Sequence, residues 1–199
     1  IKINGIEIDD ESLLETFEMI DEVRGDTTLT YFEFATLSAF YLFSKSNLDV
    51  AVLEVGLGGR LDATNIVDSD ISIITSIGID HTEFLGNTID SIALEKAGVM
   101  RPFKTCIYAQ EKPPAALLKY AKNKSVNLLI HNNDYRVNLG SSNWSLKSKH
   151  NSINEIPNLK MIGDYQYNYA AASLLALDAL LPECLEAVSY THLTLPTNA

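Results

Sequence analysis

The chain has 199 residues and a formal net charge of −11, with 46% hydrophobic and 21% charged residues. This composition is ordinary for a globular protein, and the length suffices for one full core, so we expect a single domain. The acidic balance argues against a nucleic-acid partner, because phosphate backbones are bound by clustered Lys and Arg. The sequence contains no run of about 18 uncharged apolar residues that would predict a membrane span, and we expect no secretory signal.

The two cysteines bear on the cellular compartment. Cys106 and Cys184 are too few and too dispersed for a disulfide framework or a metal cage. We therefore interpret them as buried thiols in a reducing environment, and we expect a cytoplasmic protein.

The first part of the chain predicts a hairpin and two helices. Isoleucines alternate around Asn4-Gly5, a pair suited to the positive φ angles of a type I′ turn, so a β-hairpin is expected. Acidic residues at 9–11 and the apolar face that follows predict a helix that ends near Gly25. Residues 31–44 are almost continuously apolar and aromatic, too long a run for an ordinary strand, and predict a buried helix.

The middle of the chain alternates strands and helices. Residues 49–54 are short, β-branched and apolar, which predicts a strand buried on both faces of a parallel sheet. Residues 71–77 predict a second such strand. This alternation implies right-handed crossovers, so the predicted fold class is α/β, with a mostly parallel sheet flanked by helices. The same alternating pattern predicts a helix at residues 88–100, a strand at 105–108, a helix at 113–124 and a strand at 126–130.

The last third of the sequence is less regular. Short β-prone stretches at 135–137 and 144–146 predict an antiparallel edge, and the alanine- and leucine-rich residues 166–181 predict a helix. Residues 188–199 are β-prone but have no segment to pair with. We interpret them as a non-native tail, so the fold is expected to lie within residues 1–187.

The most specific feature is the glycine-rich segment 53–65, which reads LEVGLGGRLDATN. Glu54 is placed at the carboxyl end of the predicted strand, the edge at which open α/β sheets bind ligands. A dinucleotide-binding fingerprint is excluded, because its third glycine would fall where the chain has Leu61. The sequence also contains no Gly-x-x-x-x-Gly-Lys-[Ser/Thr] phosphate-binding loop.

Glu54 and His81 follow two successive predicted strands, so their side chains are expected to converge at one edge of the sheet. An unpaired carboxylate on a buried strand is costly, which favours a functional role for Glu54. The residues alone favour the interpretation of His81 as a hydrogen-bonded loop histidine and of Lys96 as a solvated helix residue.

Residues 53–65 closely resemble the corresponding stretch of the dihydrofolate synthase/folylpolyglutamate synthase family, a branch of the Mur ligase-like enzymes. The resemblance extends over residues 1–181 and implies a P-loop NTPase-type core like the Mur ligase central domain. It also implies that 1–187 form a partial ATP-binding domain, without the family's P-loop segment and C-terminal glutamate-ligase domain. Three further blocks carry the likeness in the family's order: residues 29–33 (LTYFE), 75–82 (TSIGIDHT) and 95–98 (EKAG).

The resemblance implies specific site residues. Glu54 and His81 match positions that contribute to Mg²⁺ binding beside the ATP phosphates. Lys96 matches a lysine that is carbamylated by CO₂, which exchanges a repelling ammonium for anionic oxygens near the metal. Asn168 matches an asparagine that contacts ATP. The expected walls of a pterin pocket are Thr30, Tyr31, Phe32 and Glu33 on one side, and Leu61, Asp62 and Ala63 on the other.

The implied parent enzyme joins L-glutamate to dihydropteroate or to folates such as tetrahydrofolate, with ATP and Mg²⁺, through an acyl phosphate. We expect it to be a monomer. One alternative is a fragment of a Mur-type peptidoglycan amino-acid ligase, which shares the strand, loop and Asp-His pattern, although residues 58–62 favour the folate branch. The other is a folded but catalytically inactive fragment with at most weak ligand binding.

Overall fold

The chain divides into two compact units. In this computed structural model the units are Ile1–Val67 and Asp68–Ala199, and the structure describes residues 1–149 and 151–182. Cys184 and the predicted tail at 188–199 lie outside the described residues.

The first unit opens with the predicted hairpin. Strand β1, Lys2–Ile3, pairs antiparallel with β2, Ile6–Glu7. Asn4 and Gly5 both have positive φ, 52° and 80°, as a type I′ turn requires. The prediction of a hairpin at this pair is confirmed.

Two helices follow the hairpin. Helix α1, Asp10–Arg24, begins after Asp9, whose carboxylate accepts the Ser12 N–H at 2.8 Å. Helix α2 spans Tyr31–Lys45 and packs against α1 through an edge-to-face contact of Phe17 and Phe34, with ring centroids 5.3 Å apart. Both predicted helices are therefore confirmed.

The predicted burial of α2 is wrong. Only Thr36 and Ser38 are buried on this helix, and Tyr31 is 89% exposed. Within its unit, α2 packs mainly against α1 and a short 3-10 helix, Ala63–Ile66. Two neighbours cannot cover a helix that is apolar around most of its circumference.

The strand predicted at 49–54 does not form. Residues 51–55 have no regular secondary structure, Val52 is 87% exposed, and the Glu54 side chain is exposed. A strand exists only as part of a hydrogen-bonded ladder, and the strands described in this unit are β1 and β2, which pair with each other. Glu54 therefore does not stand at the end of a buried strand.

The second unit contains the predicted parallel sheet. Its strands are β3, Ile71–Ile74, β4, Thr105–Tyr108, and β5, Asn127–Ile130, in the order β3-β4-β5. All pairs are parallel, with Ile71 opposite Thr105 and Thr105 opposite Asn127. Strand β3 stops at Ile74, shorter than predicted, because its pairing with β4 ends at Tyr108.

Helices cover the parallel sheet. They are α4, Ile89–Ala97, and α5, Ala115–Asn123, whereas the short helix α3, Thr82–Leu85, packs against α4. Cys106 is fully buried among them, and this burial raises the pKa of its thiol to about 11, which confirms one predicted buried thiol. The core that these elements share consists of Ile74, Ala93, Ala97, Met100, Cys106, Tyr108, Leu117 and Ala121.

A separate antiparallel sheet follows, with strands β6, Tyr135–Leu139, β7, Asn143–Ser148, and β8, Ser152–Pro157, in that order. Two of its strands match the predicted antiparallel stretches, but they form their own sheet instead of an edge. Strand β8 was not predicted; four of its six residues are exposed, and Ile156 is its buried residue.

The last described helix completes the second core. Helix α6, Tyr165–Leu180, agrees with its prediction. Trp144 is buried beside it, and its indole N–H donates to the Pro157 carbonyl at 3.1 Å. The buried core around Trp144 and α6 includes Ile107, Tyr135, Trp144, Leu146, Ile156, Ala171, Ala172 and Leu174.

No helix in the described part of the chain is both long and apolar enough to span a bilayer.

Candidate functional site

The glycine-rich loop is closed by the carboxylate of Asp62. Its Oδ2 accepts the N–H groups of Gly56, at 2.9 Å, and of Leu57, at 3.0 Å. Its Oδ1 accepts the Thr64 N–H at 2.9 Å and the Thr64 hydroxyl at 2.6 Å. Four hydrogen bonds use the acceptor positions that a carboxylate usually offers. In this structure Asp62 therefore organises the loop.

A capping box fixes the start of α2. The Thr30 hydroxyl oxygen accepts the Glu33 N–H at 3.2 Å, and Glu33 Oε2 accepts the Thr30 N–H at 2.7 Å and its hydroxyl at 2.8 Å. These bonds lower the pKa of Glu33, and the bond from the Thr30 N–H has the largest effect. The Thr-x-x-Glu spacing is the sequence signature of this motif, and the sequence analysis assigned the two residues to substrate contact alone.

The two predicted walls of the pterin pocket meet within the first unit. The Phe32 ring lies directly on Gly56, so that a Cβ atom at Gly56 would be 2.8 Å from Phe32 Cζ. Gly56 is in turn hydrogen-bonded to Asp62. The structure thus brings the segment that begins α2 against the loop that carries the second wall, while Tyr31 projects into solvent.

His81 does not stand at the end of a strand. It lies seven residues beyond Ile74 and directly precedes α3. Its backbone is left-handed, with φ 48° and ψ 43°, a conformation that is uncommon outside glycine. Asp80 Oδ1 accepts the His81 N–H at 2.8 Å, and Asp80 Oδ2 lies 3.7 Å from His81 Nε2. The neighbouring carboxylate supports this conformation.

The three residues matched to metal binding are spread over the chain. Glu54 belongs to the first unit, and His81 and Lys96 belong to the second, with Lys96 half-buried on α4. Among residues 1–149 and 151–182, no three His, Cys, Asp or Glu side chains group in a way that could hold a metal ion. The donor set fits Mg²⁺ chemically only if Lys96 is carbamylated, because a carboxylate and a carbamate offer oxygen ligands whereas an ammonium repels the ion.

Asn168 lies in the first turn of α6 and is half-buried. The rings of Tyr165 and Tyr169 contact each other on the same helix, with centroids 5.7 Å apart. Gly163, at φ 110°, precedes the helix and is covered by the Tyr165 ring. The ATP contact expected of Asn168 stays a prediction.

One polar residue that the sequence analysis did not single out is His131, at the carboxyl end of β5. It is 7% exposed, and neither ring nitrogen has a hydrogen-bond partner within the described residues. Its ring lies 5.4 Å from that of Tyr135. Burial lowers the pKa of His131, and the charge of Glu111 opposes this shift in part. No sequence pattern around a lone histidine could have indicated such burial.

Comparison with known proteins identifies the relatives of the chain. The family described as the Mur ligase middle domain matches residues 6–177. The dihydrofolate synthase/folylpolyglutamate synthase of Escherichia coli K12 is 40% identical over 157 residues, which make up 79% of this chain and 37% of that protein. The chain therefore spans less than half the length of this relative.

Solved structures agree with this result. E. coli FolC in complex with DHPP and ADP superposes with a TM-score of 0.84 at 39% identity, covering 90% of this chain and 42% of that one. A bifunctional folylpolyglutamate synthase/dihydrofolate synthase with Mn, AMPPNP and L-glutamate bound has a TM-score of 0.77 at 39% identity, with coverage of 90% and 42%. These relatives bind a nucleotide, and one of them also binds a divalent metal.

Proposed function

The chain belongs to the Mur ligase middle-domain family, and from that premise we propose that it forms the ATP-binding part of a glutamate ligase. The proposed reaction joins L-glutamate to dihydropteroate or to a folate such as tetrahydrofolate. We assign this role to residues 1–187, as a partial ATP-binding domain. A ligase of this kind would act as a cytoplasmic monomer.

The contact of Phe32 with Gly56 is the observation that carries the substrate assignment. It places the segment Thr30–Glu33 against the loop that holds Leu61, Asp62 and Ala63. A partly exposed aromatic ring beside a glycine-rich loop suits a flat heteroaromatic ring that can stack on it. The similarity to FolC, whose structure with DHPP and ADP superposes on this chain, supports the same assignment.

The polar residues have separate proposed tasks. Asn168 would contact ATP from the start of α6. Glu54, His81 and a carbamylated Lys96 would hold Mg²⁺, which when bound supplies positive charge to the phosphate oxygens. The left-handed backbone of His81 and its bond to Asp80 would orient the imidazole for this purpose. The relative with bound Mn and AMPPNP supports a divalent metal beside a nucleotide.

The test uses the product of the complete reading frame that contains these 199 residues, with ATP, glutamate and either dihydropteroate or tetrahydrofolate. We expect glutamate-dependent release of phosphate with one or both acceptors. Lys96→Ala should lower turnover by about 100-fold, the effect of removing one preorganised charge-stabilising group. Added formate or acetate should restore part of it, because a free carboxylate can replace the lost carbamate oxygens.

The matched control is Lys119→Ala, which removes an exposed lysine from α5 and should leave turnover unchanged. Mn²⁺ binding, followed by electron paramagnetic resonance, gives a readout that does not depend on turnover. Unchanged metal affinity in both Glu54→Ala and Lys96→Ala would refute the metal assignment. Acceptance of a peptidoglycan precursor in place of a folate would refute the substrate assignment.

A further inference from the structure

Gly56 lies where the glycine-rich loop touches the first turn of α2. A Cβ atom at this position would be 2.8 Å from Phe32 Cζ and 3.0 Å from Cε1 and Cε2. Carbon atoms at van der Waals contact are about 3.5–4.0 Å apart. Any residue other than glycine would therefore overlap the face of the Phe32 ring.

The backbone on the loop side of this contact is held in place. The Gly56 N–H donates to Asp62 Oδ2 at 2.9 Å, and the adjacent Leu57 N–H donates to the same oxygen at 3.0 Å. The other oxygen of Asp62 is bound to Thr64. The loop backbone at Gly56 cannot retreat from an added methyl group without breaking these bonds.

The backbone on the helix side is held as well. Phe32 lies between the capping residues Thr30 and Glu33, which bind each other by hydrogen bonds in both directions. Phe32 is 40% exposed, so its ring has space to turn. The ring is consequently the part that yields when Gly56 gains a side chain.

We propose that Gly56 is a specificity-determining position, which lets the Phe32 ring lie flat on the loop and so sets the aromatic wall for the pteridine ring of the substrate. This inference rests on the proposed function, because the substrate assignment places Phe32 in the pocket. A methyl group at Gly56 displaces the ring with little cost to the fold, and it weakens binding of the pteridine substrate selectively.

The substitution Gly56→Ala is a clean steric test. Gly56 is not among the glycines with positive φ, so alanine can adopt its backbone conformation. We expect the melting temperature to fall by no more than about 4 °C. The Kd for dihydropteroate should rise about three- to tenfold, the loss of one aromatic contact.

A double-mutant cycle isolates the ring. In a Phe32→Leu background the ring is gone, so adding Gly56→Ala should change the Kd less than about twofold. Gly78→Ala is the matched control, because a Cβ there meets no atom within 4 Å and its φ is not positive. It should leave the Kd within about twofold of the parent value.

A second readout follows the ring without any ligand. In protein labelled with 4-fluorophenylalanine, Gly56→Ala should move the ¹⁹F resonance of residue 32, whereas Gly78→Ala should not. An equal rise in Kd from Gly56→Ala with and without the Phe32 ring would overturn the inference, since the effect would then come from the loop.

The two levels of the proposal fail in different ways. Dihydropteroate that binds equally well to the parent and to Gly56→Ala overturns the inference and leaves the proposed function intact. A parent protein that does not bind dihydropteroate, although Gly56→Ala still moves the ¹⁹F resonance, overturns the substrate assignment and leaves the ring-positioning role of Gly56 standing.

Discussion

Two apolar, β-branched runs of the chain have similar sequences and different structures. Residues 50–55, VAVLEV, have no regular secondary structure and expose Val52. Residues 71–74, ISII, form β3, with Ile74 buried in the core. The difference lies in the neighbours, because β3 pairs in parallel with β4 along its whole length.

This comparison shows that β-propensity describes how a side chain fits a paired, half-buried surface and does not create a strand by itself. The second unit is held by sheet ladders and two buried cores. The first unit contains one hairpin, whose strands have two residues each. It depends more on local polar contacts, such as the helix caps and the hydrogen bonds of Asp62. Substitutions in the two units should therefore act through different interactions.

The largest expected effect comes from the centre of the parallel sheet. Ile107 in β4 is fully buried, and Ile107→Ala should lower the free energy of unfolding by about 2–5 kcal/mol. Val52→Ala removes an apolar side chain from the unpaired run and should change it by less than about 0.5 kcal/mol. Urea unfolding followed by circular dichroism measures both. A large loss from Val52→Ala would mean that residues 50–55 are buried in solution.

An intermediate effect is expected from the glycine-rich loop. Asp62→Ala leaves the Gly56 and Leu57 N–H groups without their acceptor and should cost about 1–3 kcal/mol. Hydrogen exchange at these two amides should accelerate, while the amides of β4 keep their protection. Asp49→Ala, a change at an exposed aspartate, is the control. Equal exchange at Gly56 in the parent and in Asp62→Ala would contradict the role of Asp62 in the loop.

The smallest effect concerns pH and the end of β5. Burial lowers the pKa of His131 in the folded state below its ordinary value of 6.5, so the unfolded chain binds the proton more readily. Above about pH 6.5 His131 is neutral in both states and does not lower the free energy of unfolding. As the pH falls below that value, the unfolded chain takes up the proton first, and the free energy of unfolding decreases progressively.

The fluorescence of Trp144, the single tryptophan, reports the unfolding of the second unit. We expect the parent to lose more stability than His131→Leu between about pH 7.5 and 5.5. Equal pH dependence in the two proteins would show that His131 is protonated as easily in the folded state as in the unfolded chain.

Local signals predicted much of the fold. The hairpin follows from Asn4-Gly5, and the end of α1 from Gly25, because each depends on backbone conformations that these residue types favour. The alternation of strands and helices predicted the parallel sheet correctly. By contrast, the exposure of α2 and the absence of a strand at 49–54 depend on which neighbours are present, and no local pattern contains that information.

The candidate site also combines residues that the sequence predicted with contacts that only the structure shows. The sequence identified both segments of the proposed pterin pocket, because their residues are contiguous and resemble those of a known family. It did not indicate that Phe32 lies on Gly56, or that the Asp62 carboxylate accepts hydrogen bonds from the loop backbone. These contacts join positions that lie far apart in the sequence or depend on how the loop folds back. The shared metal site of Glu54, His81 and Lys96 stays a prediction.

The sequence by itself determined the family, the fold class and the residue types available for chemistry, because these depend on composition, short motifs and the period of the apolar pattern. The tertiary structure decided which apolar run becomes a strand, which face of α2 is covered, and which atoms are free to meet a ligand. Those outcomes depend on pairing and burial, and the free energies of both come from contacts between segments that are distant along the chain.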